Sequence, residues 1–349
     1  MKSLTALCEE FAISRPTGYR WVRRYRELGL GGLEEGSRRP QHTPGRTSAD
    51  VEQRVVGLRQ QRPDWGARKL QVLLKREQVQ LPAGTIHRIL LRHDLVRERD
   101  RHAAAVRRFQ RAEPNELWQM DFKGPKGWNH PVGPLSVLDD HSRYALTLRA
   151  TGDTREESVR ECLTAVFQDC GLPQAMLMDH GCPWWSGQGE RGWTRLMVWL
   201  MKQDIRLYFG RYCHPQTQGK VERLHRTMTA ALLRRGTPAA EERQSWLDRF
   251  CEEYNFVRPH EALGMRTPSQ LWRKSTRPYQ PHPAPWIYPA GCETVEVHRN
   301  GQIRLAKNSY WLSGALAGEQ VGLVQVEERF LVFFRQSLVK EIDPNVSGV

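Results

Sequence analysis

The sequence predicts a multidomain protein: an N-terminal all-α region of helix-turn-helix modules, an α/β core on a mixed sheet, and a small C-terminal β-barrel. Three observations predict it. Apolar residues recur at helical spacing through the first third of the chain. After Pro114 short apolar runs alternate with helical segments, and after a proline-rich stretch short strands follow one another without helices. The boundaries this implies are 1–35 for a first helix-turn-helix module, 36–49 for a linker and 50–111 for a second helical module. The core then takes 112–272, a stiff linker 273–290 and the barrel 291–345.

Charge divides along the same line. The 349 residues hold 53 Lys and Arg against 39 Asp and Glu, a net +14. Residues 1–111 contain 24 of the basic and 12 of the acidic side chains, so +12 lies in the first third. Such a basic end implies a polyanion partner, nucleic acid or an anionic membrane surface. With 39% hydrophobic residues and 12 Trp, the chain can fill cores and is not a disordered tail. No run approaches the roughly 18 apolar residues of a membrane span. The opening MKSLTALCEEFAISR places two Glu where an export signal needs apolar residues. Seven scattered Cys, never spaced Cys-x-x-Cys, argue against disulfides or structural zinc and for a reducing, cytoplasmic location.

The first elements are helical. Leu4, Leu7, Phe11 and Ile13 mark one helix, and Ser14 offers an N-cap for another from Arg15 to about Leu28. The second carries Arg15, Arg20, Arg23, Arg24 and Arg26, so the pair reads as a helix-turn-helix with Arg15, Thr17 and Arg20 facing base edges or phosphates. A solvated basic helix in a small bundle is the plainer alternative. Arg38, Arg39 and Arg46 punctuate the extended linker and would track a phosphate backbone. Helices over 50–61, 67–77 and 85–93 repeat the arrangement and add Arg68, Lys69 and Arg88 to the expected DNA contacts.

The core begins with strands at 117–123, 135–138 and 144–150, with a turn at 139–143. A helix over 154–170, a strand over 175–178, a helix over 191–203, a strand over 205–209 and a helix over 220–235 complete it. Three acids stand out: Asp121 within the first strand, Asp179 just past the fourth, and Glu222 opening the helix after the fifth. Open α/β sheets place their sites at strand carboxyl ends, where Asp179 sits. Converging carboxylates repel unless a cation lies between them, and a hard ion such as Mg²⁺ or Mn²⁺ suits oxygen donors. Asp139, Asp140 and Asp153 compete for the role on spacing alone. Asp140 reads more simply as a turn former or a partner of Arg143. Beyond the second linker, strands at 294–297, 303–306, 310–312, 320–326 and 330–334, with a turn at 299–301, predict the barrel.

From Trp118 to about Trp272 the chain resembles the catalytic core of the DDE transposases of bacterial insertion sequences, the group related to retroviral integrases. The likeness runs through WQMDFKG (118–124), VLDDHSRY (137–144), MDHG (178–181), HPQTQGKVERLHRT (214–227) and YNFVRPHEALGMRTP (254–268). It implies an RNase H-like fold, with Asp121, Asp179 and Glu222 as catalytic residues and ligands of two Mg²⁺ ions, Mn²⁺ being a substitute. It also implies hydrolysis at an element's terminal inverted repeats, followed by attack of the freed 3′-hydroxyl on target DNA. The partners would be double-stranded DNA, at element ends and target, and at least one further copy of the chain, with no membrane. His225 and Arg226, one turn past Glu222, would contact phosphates or simply be solvated.

Two departures qualify the likeness. Residues 180–221 put 42 positions between the second and third acids, more than the wider superfamily has. The surplus falls in CPWWSGQGERGW (182–193), either a flap whose aromatics stack on unpaired bases or a loop packed on the next helix. The zinc module of retroviral integrases is absent, and the helix-turn-helix units stand in its place. Two other functions fit parts of the pattern: a DNA-binding regulator descended from an inactive relative, and a nuclease that cleaves without strand transfer.

Overall fold

The computed structural model describes residues 2–34, 47–96, 110–187, 192–210, 218–305 and 308–344. It falls into two compact units, Met1–Glu52 and Gln53–Val349. In the first, α1 (Leu4–Glu10) starts where Ser3 accepts from Ala6 N, and α2 (Arg15–Leu28) where Ser14 Oγ accepts from Thr17 N. These caps satisfy backbone donors that a helix start leaves unpaired. The two helices cross at Cys8 and Gly18, both buried. A Cβ on Gly18 would lie 2.3 Å from Cys8 Sγ, so only glycine allows this approach.

The second unit opens with a three-helix module. The helices are α3 (Ala49–Gln61), which begins at the end of the first unit, α4 (Ala67–Arg76) and α5 (Ala83–Arg92). Apolar residues three and four apart on α4 and α5 (Leu70, Leu73, Leu74; Ile86, Ile89, Leu90) close on Val55, Leu58 and Trp65.

Next come β1 (Trp118–Phe122), β2 (Leu135–Asp139) and β3 (Ala145–Arg149), an antiparallel meander. Helix α6 (Glu156–Cys170), β4 (Ala175–Met178), α7 (Arg195–Lys202), β5 (Arg206–Phe209) and α8 (Gly219–Arg235) follow. Strand β4 runs parallel to β1, and β5 parallel to β4, giving the order β3-β2-β1-β4-β5. Trp118 and Met120 pack with Val159, Leu163 and Phe167 of α6 on one face. On the other, Leu138, Ala145 and Leu148 meet Leu224 and Met228 of α8 and Leu247 and Phe250 of α9 (Arg243–Glu252). Successive strand residues point to opposite faces, so Gln119 and Asp121 look toward α8. Helix α9 and the wider turn Glu253–Val257 that continues it were not among the predicted elements.

The proline-rich stretch begins by lying along the core. Arg277 donates to the carbonyls of Pro173, Gln203 and Asp204, and Tyr279 packs 6.0 Å from Phe167, ring to ring. The strands beyond it form β6 (Glu293–Glu296), β7 (Gln302–Leu305), β8 (Asn308–Trp311), β9 (Gln320–Val326), β10 (Arg329–Phe334) and β11 (Ser337–Ile342). The expected barrel does not close. Strands β11-β10-β9-β6 make one four-stranded sheet, and β7-β8 a separate hairpin. What holds the two together is side-chain packing rather than a ladder, for Ile303, Tyr310 and Leu312 share a core with Val321, Val332 and Val339. That core continues into α7 through Met197, Val198 and Met201, which supplies the cover that closure would otherwise provide.

Candidate active site

Asp121 sits near the end of β1, three-quarters shielded. Burial raises its carboxyl to about 7, and the charges of Asp179 and then Glu222 push the same way against a hydrogen bond from Phe122. Asp121 thus lies within electrostatic reach of both other expected acids. Asp179 leaves the end of β4, where its Oδ1 accepts from Gly181 N at 2.9 Å and Trp184 Nε1 at 2.6 Å. Trp184 is buried and stacked on Phe122, 5.5 Å between centroids, so one indole ties the loop after β4 to the residue after Asp121. Glu222 lies in the first turn of α8, with its carboxyl raised by burial against the pull of Arg226.

The three acids that compete with them on spacing are each engaged elsewhere. Asp139 is fully buried and accepts from Ser142 N, Ser142 Oγ and Asn115 N at 2.6–2.7 Å, closing the turn after β2. Asp140, also fully buried, accepts from Gln119 Nε2 (2.9 Å) and Arg111 N (2.8 Å), and pairs with Lys220 Nζ at 2.5 Å. Arg143 reaches the carbonyl of Asp140 rather than its carboxylate. Asp153 caps its own neighbour Arg155 on the surface.

A homeodomain-like domain model matches residues 17–90, and two integrase core domain models match residues 111–215 and 203–268. An uncharacterized 31.7 kDa protein of insertion element IS407 from Burkholderia multivorans is 26% identical over 229 residues, 63% of this chain and 80% of its own. An uncharacterized 39.2 kDa protein of insertion element IS476 from Xanthomonas euvesicatoria is 24% identical over 278 residues, covering 77% and 78%. These matches support an insertion-sequence transposase with an integrase-like core. Among solved structures, the catalytic core domain of BIV integrase matches 45% of this chain and 92% of itself, at 21% identity and a TM-score of 0.35. An intasome of simian T-cell lymphotropic virus in complex with PP2A regulatory subunit B56 gamma covers 83% and 99%, at 15% and 0.39. The HTLV-2 integrase catalytic core domain in complex with magnesium covers 46% and 97%, at 16% and 0.34.

The expected DNA contacts divide by placement. Arg15, Arg20 and Arg23 are exposed on α2, whereas Arg24 lies over the Trp21 ring at 4.8 Å and donates to Glu34 O. Thr17 is half-buried and pairs with Ser14 Oγ at 2.8 Å. Arg38, Arg39 and Arg46 lie outside the described residues. Arg68 and Arg88 are exposed, but Lys69 turns inward toward Arg258, Asp64 and Glu261, and burial lowers its ammonium to about 8. Arg226 is exposed. His225 instead faces the acids, with Nδ1 3.7 Å from Asp121 Oδ2 and Nε2 2.9 Å from Ser136 Oγ. Burial and the Lys123 charge hold that ring down at about 3, so it is neutral and its contact with Asp121 is not an ion pair.

Integrase-core enzymes are metal-dependent, and the donor set here suits a hard cation: carboxylate oxygens, with Asp179 and Glu222 near enough to Asp121 to add to the rise of its carboxyl. Among the described residues no three His, Cys, Asp or Glu side chains already converge as a metal shell. No helix among them is long and apolar enough to cross a membrane.

Sequence reasoning passed over Lys220, Gln119 and the indole of Trp184. Lys220 had a readable signal. A lysine in a helix's first turn opposes the positive end of the helix dipole, so its presence asks for an acidic partner. The Tyr-Asn-x-x-Arg-Pro-His stretch also has a physical function. Asn255 accepts from Ala145 N and donates to Ala145 O at the start of β3, and Arg258 pairs at 2.7 Å with Asp64 of the three-helix module.

Proposed function

We propose that this chain is a transposase that cuts DNA at the terminal inverted repeats of its element and joins the ends to target DNA. The observation that carries this reading is the placement of Asp121 within electrostatic reach of Asp179 and Glu222, on neighbouring elements of an integrase-type core. In the first step water attacks the phosphorus at the element end, the P–O3′ bond breaks, and a free 3′-hydroxyl results. In the second that hydroxyl attacks a target phosphorus and displaces the target's own 3′ oxygen, without a covalent bond to protein.

Asp121, Asp179 and Glu222 would hold two Mg²⁺ ions, or Mn²⁺, which lower the charge on the attacking and leaving oxygens. The protein's part is positioning. Asp121 must lose its proton to serve as a ligand; burial is the main cause that raises its carboxyl, and a bound cation would offset the added push of Asp179 and Glu222. Trp184 and Gly181 fix the Asp179 carboxylate by donating to its Oδ1, leaving Oδ2 for a ligand. Neutral His225, hydrogen-bonded to Ser136 across from Asp121, lines the site without adding a charge. Arg226, exposed one turn beyond Glu222, is placed for a DNA phosphate.

The helices α2 and α5 would grip element ends, with Arg15, Arg20, Arg23, Arg68 and Arg88 on phosphates or base edges. Because the reaction joins two ends, at least two copies of the chain would assemble on them, in the cytoplasm where the nucleoid lies. Incubating the protein with the repeats flanking its coding region and Mg²⁺ is expected to yield nicked ends and joined products. Asp121→Asn is expected to abolish both while binding the ends as before. Joining by that variant would overturn the assignment of the acids.

A further inference from the structure

The acid that the proposed site leaves out has the most elaborate set of partners in the core. Asp140 is fully buried, yet both carboxylate oxygens are engaged: Oδ1 by Gln119 Nε2 at 2.9 Å, Oδ2 by Arg111 N at 2.8 Å and Lys220 Nζ at 2.5 Å. Lys220 Nζ also donates to the Asp140 carbonyl at 3.1 Å. The other end of Gln119 accepts from Val221 N at 3.2 Å. Lys220 and Val221, the two residues directly before Glu222 in the first turn of α8, are thus tied to the turn after β2 and to β1. Gln119 stands on the same face of β1 as Asp121, two residues before it.

Helix α8 starts without a side-chain cap of its own at Gln218. Its orphan N–H at Val221 is met by Gln119 instead, and the misplaced positive charge of Lys220 is met by Asp140. The bonds converge on one helical turn, and that turn carries Glu222. We propose that Asp140, Lys220 and Gln119 form a positioning bridge that sets Glu222 against Asp121 for binding the catalytic cation. This rests on the reading of Asp121, Asp179 and Glu222 as the metal site. The three bridge residues touch neither substrate nor cation. They act by fixing where α8 begins.

Direct metal binding separates this from a merely structural ion pair. The free Mn²⁺ signal in electron paramagnetic resonance, titrated with full-length protein, gives the affinity without relying on catalysis. Lys220→Met removes a positive charge near the site, which by Coulomb attraction alone would tighten Mn²⁺ binding. Loss of position predicts the reverse, a weakening of about tenfold, the usual size for a lost support behind a metal ligand. Lys220→Arg, which keeps charge and reach, is expected to restore most of the affinity. End cleavage by Lys220→Met should recover in part at high Mg²⁺, with DNA binding close to that of the unmodified protein and melting lowered by the stranded Asp140 charge.

A folded Lys220→Met protein that binds Mn²⁺ as tightly as the parent, or more tightly, would overturn the bridge. Should that variant fail to fold, Gln119→Leu, which cuts the link to Val221 without stranding a charge, carries the same expectation and the same refutation. Asp121→Asn is the control for the underlying site. If it too left Mn²⁺ affinity unchanged, the metal site itself would be misassigned, an outcome distinct from failure of the bridge alone.

Discussion

Burial raises the Asp121 carboxyl to about 7, and Asp179 and Glu222 add to the shift. In the unfolded chain the same group titrates near 4. Between those values the folded protein holds the proton more tightly, so this residue's contribution to stability falls as pH rises from about 4 to about 7 and stays low above it. The metal-free protein therefore carries a fold-destabilising charge at neutral pH and above. Asp121→Asn removes it. Without added metal at pH 8, that variant is expected to be more stable than the parent, on the order of 2–4 kcal/mol. The difference should shrink toward pH 4 in urea unfolding curves taken across the range. A variant equally or less stable at pH 8 would mean that burial and the neighbouring acids do not raise the Asp121 carboxyl. The positions of the acids were legible because strand alternation and helix starts can be read from sequence. The indole that holds Asp179 was not, because that bond depends on the path of the loop from Gly181 to Trp184.

Elements were readable where periodicity was strong. Helix α2 and strand β4 fall where their capping residue and apolar run predict. Helix α9 was overlooked although Leu247, Phe250 and Tyr254 follow helical spacing, because the chain there offers no strong cap to mark its start. Strand count likewise could not decide closure at the C-terminus, since the hairpin and the four-stranded sheet are joined by side chains alone. The least legible feature was what the Tyr-Asn-x-x-Arg-Pro-His stretch does. Asp64, 3% exposed, takes Arg258 at 2.7 Å and Arg235 at 3.1 Å, and Arg258 also lies 5.4 Å from the Trp65 ring centroid. These bonds fasten the three-helix module to the segments around α8 and α9. Asp64→Ala would leave Arg258 buried beside Lys69 and Arg235 with its compensating charge gone. The expected cost is about 3–5 kcal/mol, since stranding one member of a buried pair exposes the full desolvation penalty of the other. A fall in the urea midpoint, with early proteolytic release of the module, is the measurement. An unchanged midpoint would show that the pair contributes little beyond the packing around Trp65.

Across the whole chain, the first-third excess of +12 is not all available to DNA. Arg59 is buried and donates to the carbonyls of Trp65 and Leu95, Lys69 turns inward toward Asp64 and Glu261, and Arg24 is folded over Trp21. Those charges hold protein together. Arg15, Arg20, Arg23, Arg68 and Arg88 are exposed on helices and remain free to neutralise phosphates. Formal charge cannot make this division, because it depends on which helix face each residue occupies. Counterion release gives the division a measurable form, since each phosphate contact contributes about 0.9 to the slope of log affinity against log salt. Replacing Arg20, Arg23 and Arg88 together with Ala is expected to reduce the slope for element-end DNA by about 2–3 and to weaken binding most at low salt. Lys69→Met should leave the slope where it was, because its ammonium faces protein rather than DNA. If the triple variant kept the full slope, the DNA-facing charge would have to lie elsewhere, with Arg226 beside the acids the first candidate. A slope lowered by Lys69→Met would instead mean that the face of α4 packed against Arg258 opens when DNA binds.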